Sequence, residues 1–149
     1  MATIRQVYLN VKDVDLSKVT IDTLVEYDDN LVAINKGQLL DGKAKDGNKI
    51  RERYKSDSYA KWKNKRNPSA GLGIPDLRNK GDFFAGFKLK IVDKSSFEIY
   101  STDSKNDMLV KNYGSSIPFF GLNAEGRTSL IRSGFDVSLV DRFKKACKL

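Results

Sequence analysis

The sequence predicts a single α+β domain, on three observations. Two short alternating runs, Phe87–Ile91 and Phe97–Ile99, flank the turn Asp93-Lys94-Ser95 and spell an antiparallel hairpin with one apolar face. Residues 16–40 place Ile21, Leu24, Val25, Leu31, Val32 and Leu39 at helical spacing. Residues 123–149 do the same with Leu130, Ile131, Phe135, Leu139, Val140 and Phe143, interrupted by Gly134. The expected architecture is a long N-terminal helix and a C-terminal helix packed on a small antiparallel sheet, with a protruding basic hairpin or loop. A chain of 149 residues fits one domain at about 100–200 residues each, so residues 1–149 read as a single unit.

In chain order, residues 1–14 come first. Val7, Leu9 and Val11 alternate as in a half-buried strand, or belong to an extended N-terminal arm. The helix over 16–40 takes Asp15 or Ser17 as its cap. Asp41-Gly42 and Asp46-Gly47 then mark tight turns, and residues 42–56 read as a protruding ribbon. A short helix follows, with Tyr59 and Trp62 expected on its buried face, and Pro68 ends it. Residues 67–77 form a loop by their Gly and Pro content. After the hairpin, residues 101–114 predict a short helix capped by Asp103 or Ser104 and stopped by Gly114. The stretch from Ile117 to Asn123 is a loop or short edge strand, broken by Pro118 and Gly121.

Charge is the most uneven property of the chain. The net charge is +8, and residues 42–66 hold ten Lys and Arg against three acids, a local excess of +7. Residues 1–41 carry −3 and residues 67–149 carry +4. Such a block faces a polyanion or meets an acidic partner surface. Lys43, Lys45, Lys49, Arg51, Arg53 and Lys55 are therefore the candidate DNA- or subunit-facing residues. Apart from Ala44, Ile50 and Tyr54, the ribbon that carries them has almost nothing apolar, so it is expected to be mobile or completed by a partner.

Composition argues against several chemistries. Histidine is absent and cysteine occurs once, as Cys147. The commonest general base and metal ligand is missing, and a zinc site built from carboxylates alone is disfavoured. No catalytic, metal or cofactor site is therefore expected. As the single cysteine, Cys147 cannot form an intrachain disulfide, which fits a reducing compartment or any setting that needs no disulfide. No run of 18 apolar residues predicts a membrane span, and the N-terminal residues do not resemble a secretory signal. Asp76, Asp82, Glu98, Asp103 and Asp107 would have to converge to make a metal-dependent nuclease; solvated strand and helix-start positions are the simpler reading. Gly71-Leu72-Gly73-Ile74-Pro75-Asp76 lacks the Lys-Ser/Thr of a phosphate loop and reads as turns.

Several segments together resemble a known family. They are NKGQLLDGKAKDGNKI at 35–50, YKSDSYAKWK at 54–63, PDLRNKGDFFAGFKLKI at 75–91 and STDSKNDMLVKNYGSSIPFFGLN at 101–123. In this order they resemble the head-to-tail connector and tail-completion (neck ring) proteins of tailed bacteriophages, as in crAss-like phages and related prophages. In that family a Leu-x-x-Thr-Gly turn leads into a hairpin, and a helix ending in Tyr-Gly precedes a Phe-Gly-Leu loop. Lys80 stands here where Thr is common, and the stretch from Ile117 to Phe120 is slightly longer than usual.

The resemblance implies a structural virion protein, not an enzyme. It would be made in the host cytoplasm and assemble with copies of itself into a ring in the neck or tail, beside other virion proteins and around packaged DNA without sequence preference. A nucleic-acid-binding protein using residues 42–66 is the alternative, and a metal-dependent nuclease a more distant one.

Overall fold

The computed structural model describes residues 3–50, 53–113 and 118–149. The fold is α+β. Among the described residues the elements run α1 (Ile4–Lys12), α2 (Leu16–Glu26), α3 (Asp28–Leu40), α4 (Asp57–Arg66), α5 (Asp82–Ala85), β1 (Phe87–Ile91), β2 (Phe97–Ser101), α6 (Asn106–Tyr113), α7 (Ala124–Arg132) and α8 (Phe135–Ala146). The two strands pair antiparallel with Leu89 opposite Ile99 and Lys90 opposite Glu98, as the alternation predicts. Among the described residues no helix is long and apolar enough to cross a membrane.

The N-terminal segment is helical, not a strand or an extended arm. Thr3 caps it, its hydroxyl accepting from Gln6 N–H at 3.2 Å. The alternation of Val7, Leu9 and Val11 misleads because Ile4, Val7, Tyr8 and Val11 also satisfy helical spacing, and a short apolar run fits both periods.

The long helix over 16–40 is two helices. Asp15 caps the first, accepting from Lys18 N–H at 3.1 Å. The break falls at Tyr27 (φ −101°, ψ 16°), and Asp28 and Asp29 restart the helix where negative charge is favoured. The turn brings Tyr27 to α8, where its ring meets Phe135 edge-on at 5.4 Å and its hydroxyl lies 2.9 Å from Ser138 Oγ. Consequently α8 packs on α2 and α7 on α3, while α3 packs on β1 and α5 on β2. The C-terminal helix does not cover the sheet as expected. Gly134, at φ +95°, makes the bend between α7 and α8.

Two apolar clusters meet on α3. Val32, Leu39, Ile50, Phe83, Phe84, Phe87, Ile99 and Phe119 belong to one, and Leu24, Leu31, Leu122 and Leu130 form the other. The loop at 118–123 is clamped between them by polar side chains of α3. Asn35 Nδ2 donates to the carbonyls of Phe119 (3.1 Å) and Gly121 (3.0 Å). Gln38 donates to Gly121 O and accepts from Asn123 N–H at 2.9 Å. An irregular apolar segment is thereby held against the core with the carbonyls of Phe119 and Gly121 and the N–H of Asn123 satisfied.

The basic ribbon does not stand off the body. Ala44 and Ile50 are buried, and Ile50 lies in the principal core. Ile50 N–H donates to Gly42 O at 2.8 Å, and Lys45 N–H to Pro118 O at 3.1 Å. The Asp46-Gly47 turn is present, with a Lys43–Lys49 bridge across it. It folds back so that its two apolar side chains fill the core. The rest of the ribbon reading includes Arg51 and Glu52, which lie outside the described residues.

Candidate polyanion-binding face

Four of the block's ten Lys and Arg, namely Lys61, Lys63, Lys65 and Arg66, lie on α4. Ser56 caps the helix, accepting from Tyr59 N–H at 3.3 Å, with Asp57 in the first turn and Lys63, Lys65 and Arg66 in the last. That charge order complements the helix dipole. The buried residues of α4 are Ala60 and Lys63. Tyr59 and Trp62, expected inside, are 41% and 44% exposed. The helix is rotated from the expected setting because Ala60 permits a close approach and Lys63 has an internal partner.

That partner is Asp76. Lys63 Nζ lies 2.5 Å from Asp76 Oδ1 and also donates to Arg78 O. Asp76 is 2% exposed and accepts further bonds from Arg78 N–H (3.0 Å), Asn67 Nδ2 (3.1 Å) and the Tyr54 hydroxyl (3.4 Å). Asn67 Nδ2 bridges on to Leu40 O at 2.6 Å. A buried ion pair is tolerated when hydrogen bonds satisfy its remaining lone pairs and protons, and here the donors come from three directions. Leu77 sits at φ +53°, a strained setting for a branched residue, held between the core and this hub. Burial first, and then the Asp76 carboxylate, hold the Tyr54 hydroxyl well above the ordinary phenol range, so it remains a donor.

Over this hub runs a chain of rings. Tyr54 meets Tyr59 edge-on at 4.9 Å, Tyr59 stacks near Trp62 at 5.5 Å, and the Arg66 guanidinium lies 4.9 Å from the Trp62 ring centroid. Between the end of α4 and the following loop is a cleft of about 620 Å³ with Trp62 and Arg66 on one side, Arg78 and Lys80 on the other, and the Lys63–Asp76 pair in its lining. Arg66, Arg78 and Lys80 are exposed, as are Lys61 and Lys65 on α4. With Lys63 neutralised by Asp76, the exposed side chains leave a cationic face. Guanidinium groups bind phosphate oxygens through paired donors, and lysines add point charge.

The six residues singled out from sequence are dispersed. Lys43 bonds to Glu125 Oε2 at 2.6 Å, and that bond raises its pKa. Lys45 is exposed, with its stem lying over Gly121. Lys49 Nζ donates to the carbonyls of Asp41, Ser69 (3.3 Å) and Ala70 (2.6 Å). Arg51 lies outside the described residues, and Arg53 and Lys55 are exposed on the approach to α4. Sequence reasoning left Arg78 and Lys80 out of the basic face because their own segment is only moderately charged; the chain fold brings them to Arg66.

The carboxylates considered for a nuclease do not converge. Asp76 is committed to Lys63, Glu98 is exposed opposite Lys90, and Asp103 accepts from Lys105 N–H at 2.7 Å. Asp82 and Asp107 lie in the first turns of α5 and α6. Among the described residues no three His, Cys, Asp or Glu come together in a group able to hold a metal ion. Comparison of the chain with family models, curated proteins and solved structures finds no match.

Proposed function

We propose that the protein is a structural component of a tailed-bacteriophage virion that acts without catalysis. It assembles with copies of itself into a ring in the head–tail neck or tail, and its α4 face contacts the DNA passing through. The observation that carries the DNA contact is the cleft lined by exposed Arg66, Arg78 and Lys80, with exposed Lys61 and Lys65 on the same helix as Arg66. Its placement in a virion rests on the segments that resemble neck and tail-completion proteins.

The contact is to phosphates and ignores sequence. Tyr59, Trp62 and Arg66 already lie against one another, so they are poorly set up to splay bases apart, whereas the surrounding cations need only an anionic backbone. Phosphate contacts position a protein on DNA without carrying sequence information, which suits a conduit for a whole genome.

The exposure of Tyr59 and Trp62 favours a second reading, a free nucleic-acid-binding protein that offers these rings to unpaired bases. One experiment separates the two. Purified phage particles from a host expressing the tagged chain are probed for it, and the isolated protein is titrated with duplex and single-stranded DNA. The ring reading expects stoichiometric copies in intact particles and no preference for single strands. Absence from particles combined with selective single-strand binding overturns it in favour of the second.

A further inference from the structure

The amphipathic helix α1 leaves its apolar stripe exposed, and an apolar groove lies elsewhere on the chain, neither covered among the described residues. None of the α1 side chains is buried, although Ile4, Val7, Tyr8 and Val11 form one apolar stripe; Ile4 is 91% and Tyr8 64% exposed. An apolar stripe on a surface helix ordinarily faces a core. Among the described residues nothing buries it.

The groove has a volume of about 650 Å³ and lies between the hairpin end and the α2–α7–α8 side of the body. Phe97, Phe120, Leu130 and Phe135 are among the apolar residues lining it, with Lys45 and Arg127 as its cations. Phe97 is 37% exposed at the strand start. A helix laying an i, i+3, i+4, i+7 stripe into an apolar groove is a recurring recognition mode.

We propose that α1 of one copy docks in this groove of the next copy. Charge selects this occupant. Arg5 at the start of α1 and Asp13 just past its end carry opposite charges at the two ends of the helix, as the groove lining carries Glu98 and the cations Lys45 and Arg127. Because helix and groove are different surfaces, the contact is heterologous. Repeated from copy to copy, it closes into a ring or runs on as a filament. The inference deepens the ring reading and rests on it only for closure.

The test uses full-length protein and two single variants, Val7→Asp on the helix and Phe97→Asp in the groove. Wild-type chain at high concentration is expected to sediment as dimers and larger species, and each variant alone as monomer. Mixed one to one, the variants retain one intact helix and one intact groove between them, so they are expected to form a complex that stops at two chains. In parallel, Tyr8→Cys and Phe97→Cys chains are mixed under mild oxidation, with Tyr8→Cys alone as control. A cross-link between the two variants at several times the yield of the control supports the contact.

Monomeric wild type with no cross-link above control overturns the inference, as does a Tyr8–Tyr8 cross-link dominating the mixture, which would mean α1 pairs with itself. Circular dichroism on each variant shows that loss of association is not loss of fold. Particle incorporation is scored separately. A Val7→Asp chain that is monomeric in solution yet enters particles at wild-type copy number sinks this contact while leaving the ring reading intact, whereas wild-type self-association with no copies in particles does the reverse.

Discussion

Lys63 and Asp76 form an ion pair 2.5 Å long, with only 8% and 3% of their side chains exposed. It joins the middle of α4 to the loop that leads into the hairpin, so the most basic helix of the chain is anchored by one of its own lysines. Removing one partner of such a pair leaves a buried charge without compensation, at about 3–5 kcal/mol. Lys63→Met is expected to lower stability by that amount in urea unfolding. The exposed neighbour Lys61→Met is expected to stay within about 0.5 kcal/mol of wild type. Equal effects from the two would show that the pair is not buried.

Lys63 also shows where the sequence stops being legible. It stands among Lys61, Lys65 and Arg66 with nothing local to distinguish it. Only the long-range placement of Asp76 makes it an internal residue, and that same placement turns Tyr59 and Trp62 outward. The hairpin was readable because its alternation and its turn are local signals, and the observed register agrees. The break at Tyr27 was not, because its cause is a contact with Phe135 on a distant helix. The ribbon misled for a related reason. Ala44 and Ile50 look too few to hold a segment down, but both are used completely.

The two apolar clusters give a direct check on the core. Ile99 and Phe119 are each 2% exposed in the principal cluster. Ile99→Ala is expected to cost about 2–5 kcal/mol and Phe119→Ala about 3–5 kcal/mol. Leu24→Ala, in the second cluster, falls in the first range. Guanidinium titration of the three variants measures this, and an unchanged midpoint for Phe119→Ala would mean that the 118–123 loop is not part of the core.

Gly42 closes α3 at φ +67°, and a Cβ there would lie 2.6 Å from Ile74 Cγ2, 3.3 Å from Ala70 Cβ and 3.3 Å from Pro75 O. Both the left-handed backbone and the close approach demand glycine, the former alone being worth roughly 1–2 kcal/mol. Gly42→Ala is expected to lose more than that. Gly37→Ala, inside the same helix with open space around its Cβ position, is expected to gain about 0.5–1 kcal/mol. Thermal melts of the pair test the contrast in sign.

Tyr54 makes stability depend on alkaline pH. Burial and the nearby Asp76 carboxylate raise its folded-state pKa above the ordinary value of 10.0. The unfolded chain therefore releases this proton first. The contribution is fully present below the unfolded pKa and is lost as pH rises through the folded one. Urea midpoints measured from pH 8 upward are expected to fall more steeply for wild type than for Tyr54→Phe once pH passes 10. Parallel curves would show that the phenol is not perturbed.

The last prediction concerns which cations meet a polyanion. Lys43 and Lys49 are occupied within the chain, by Glu125 and by the carbonyls of Asp41, Ser69 and Ala70. A lysine already paired releases little when a phosphate arrives, because it must give up its present partners. Lys61, Lys65, Arg66, Arg78 and Lys80 are exposed and belong to no ion pair found among the described residues. Each phosphate they neutralise on duplex DNA contributes about 0.9 to the slope of log affinity against log salt. Changing all five to Gln is therefore expected to reduce that slope by roughly 4.5 and to leave the urea midpoint near wild type. Lys43→Gln with Lys49→Gln is expected to do the opposite, lowering stability while changing the slope by less than about 1. Fluorescence titrations of duplex DNA of random sequence at several salt concentrations give both slopes. If the Lys43 and Lys49 pair carries the larger share, the DNA-facing surface is the turn at 43–49 and not α4.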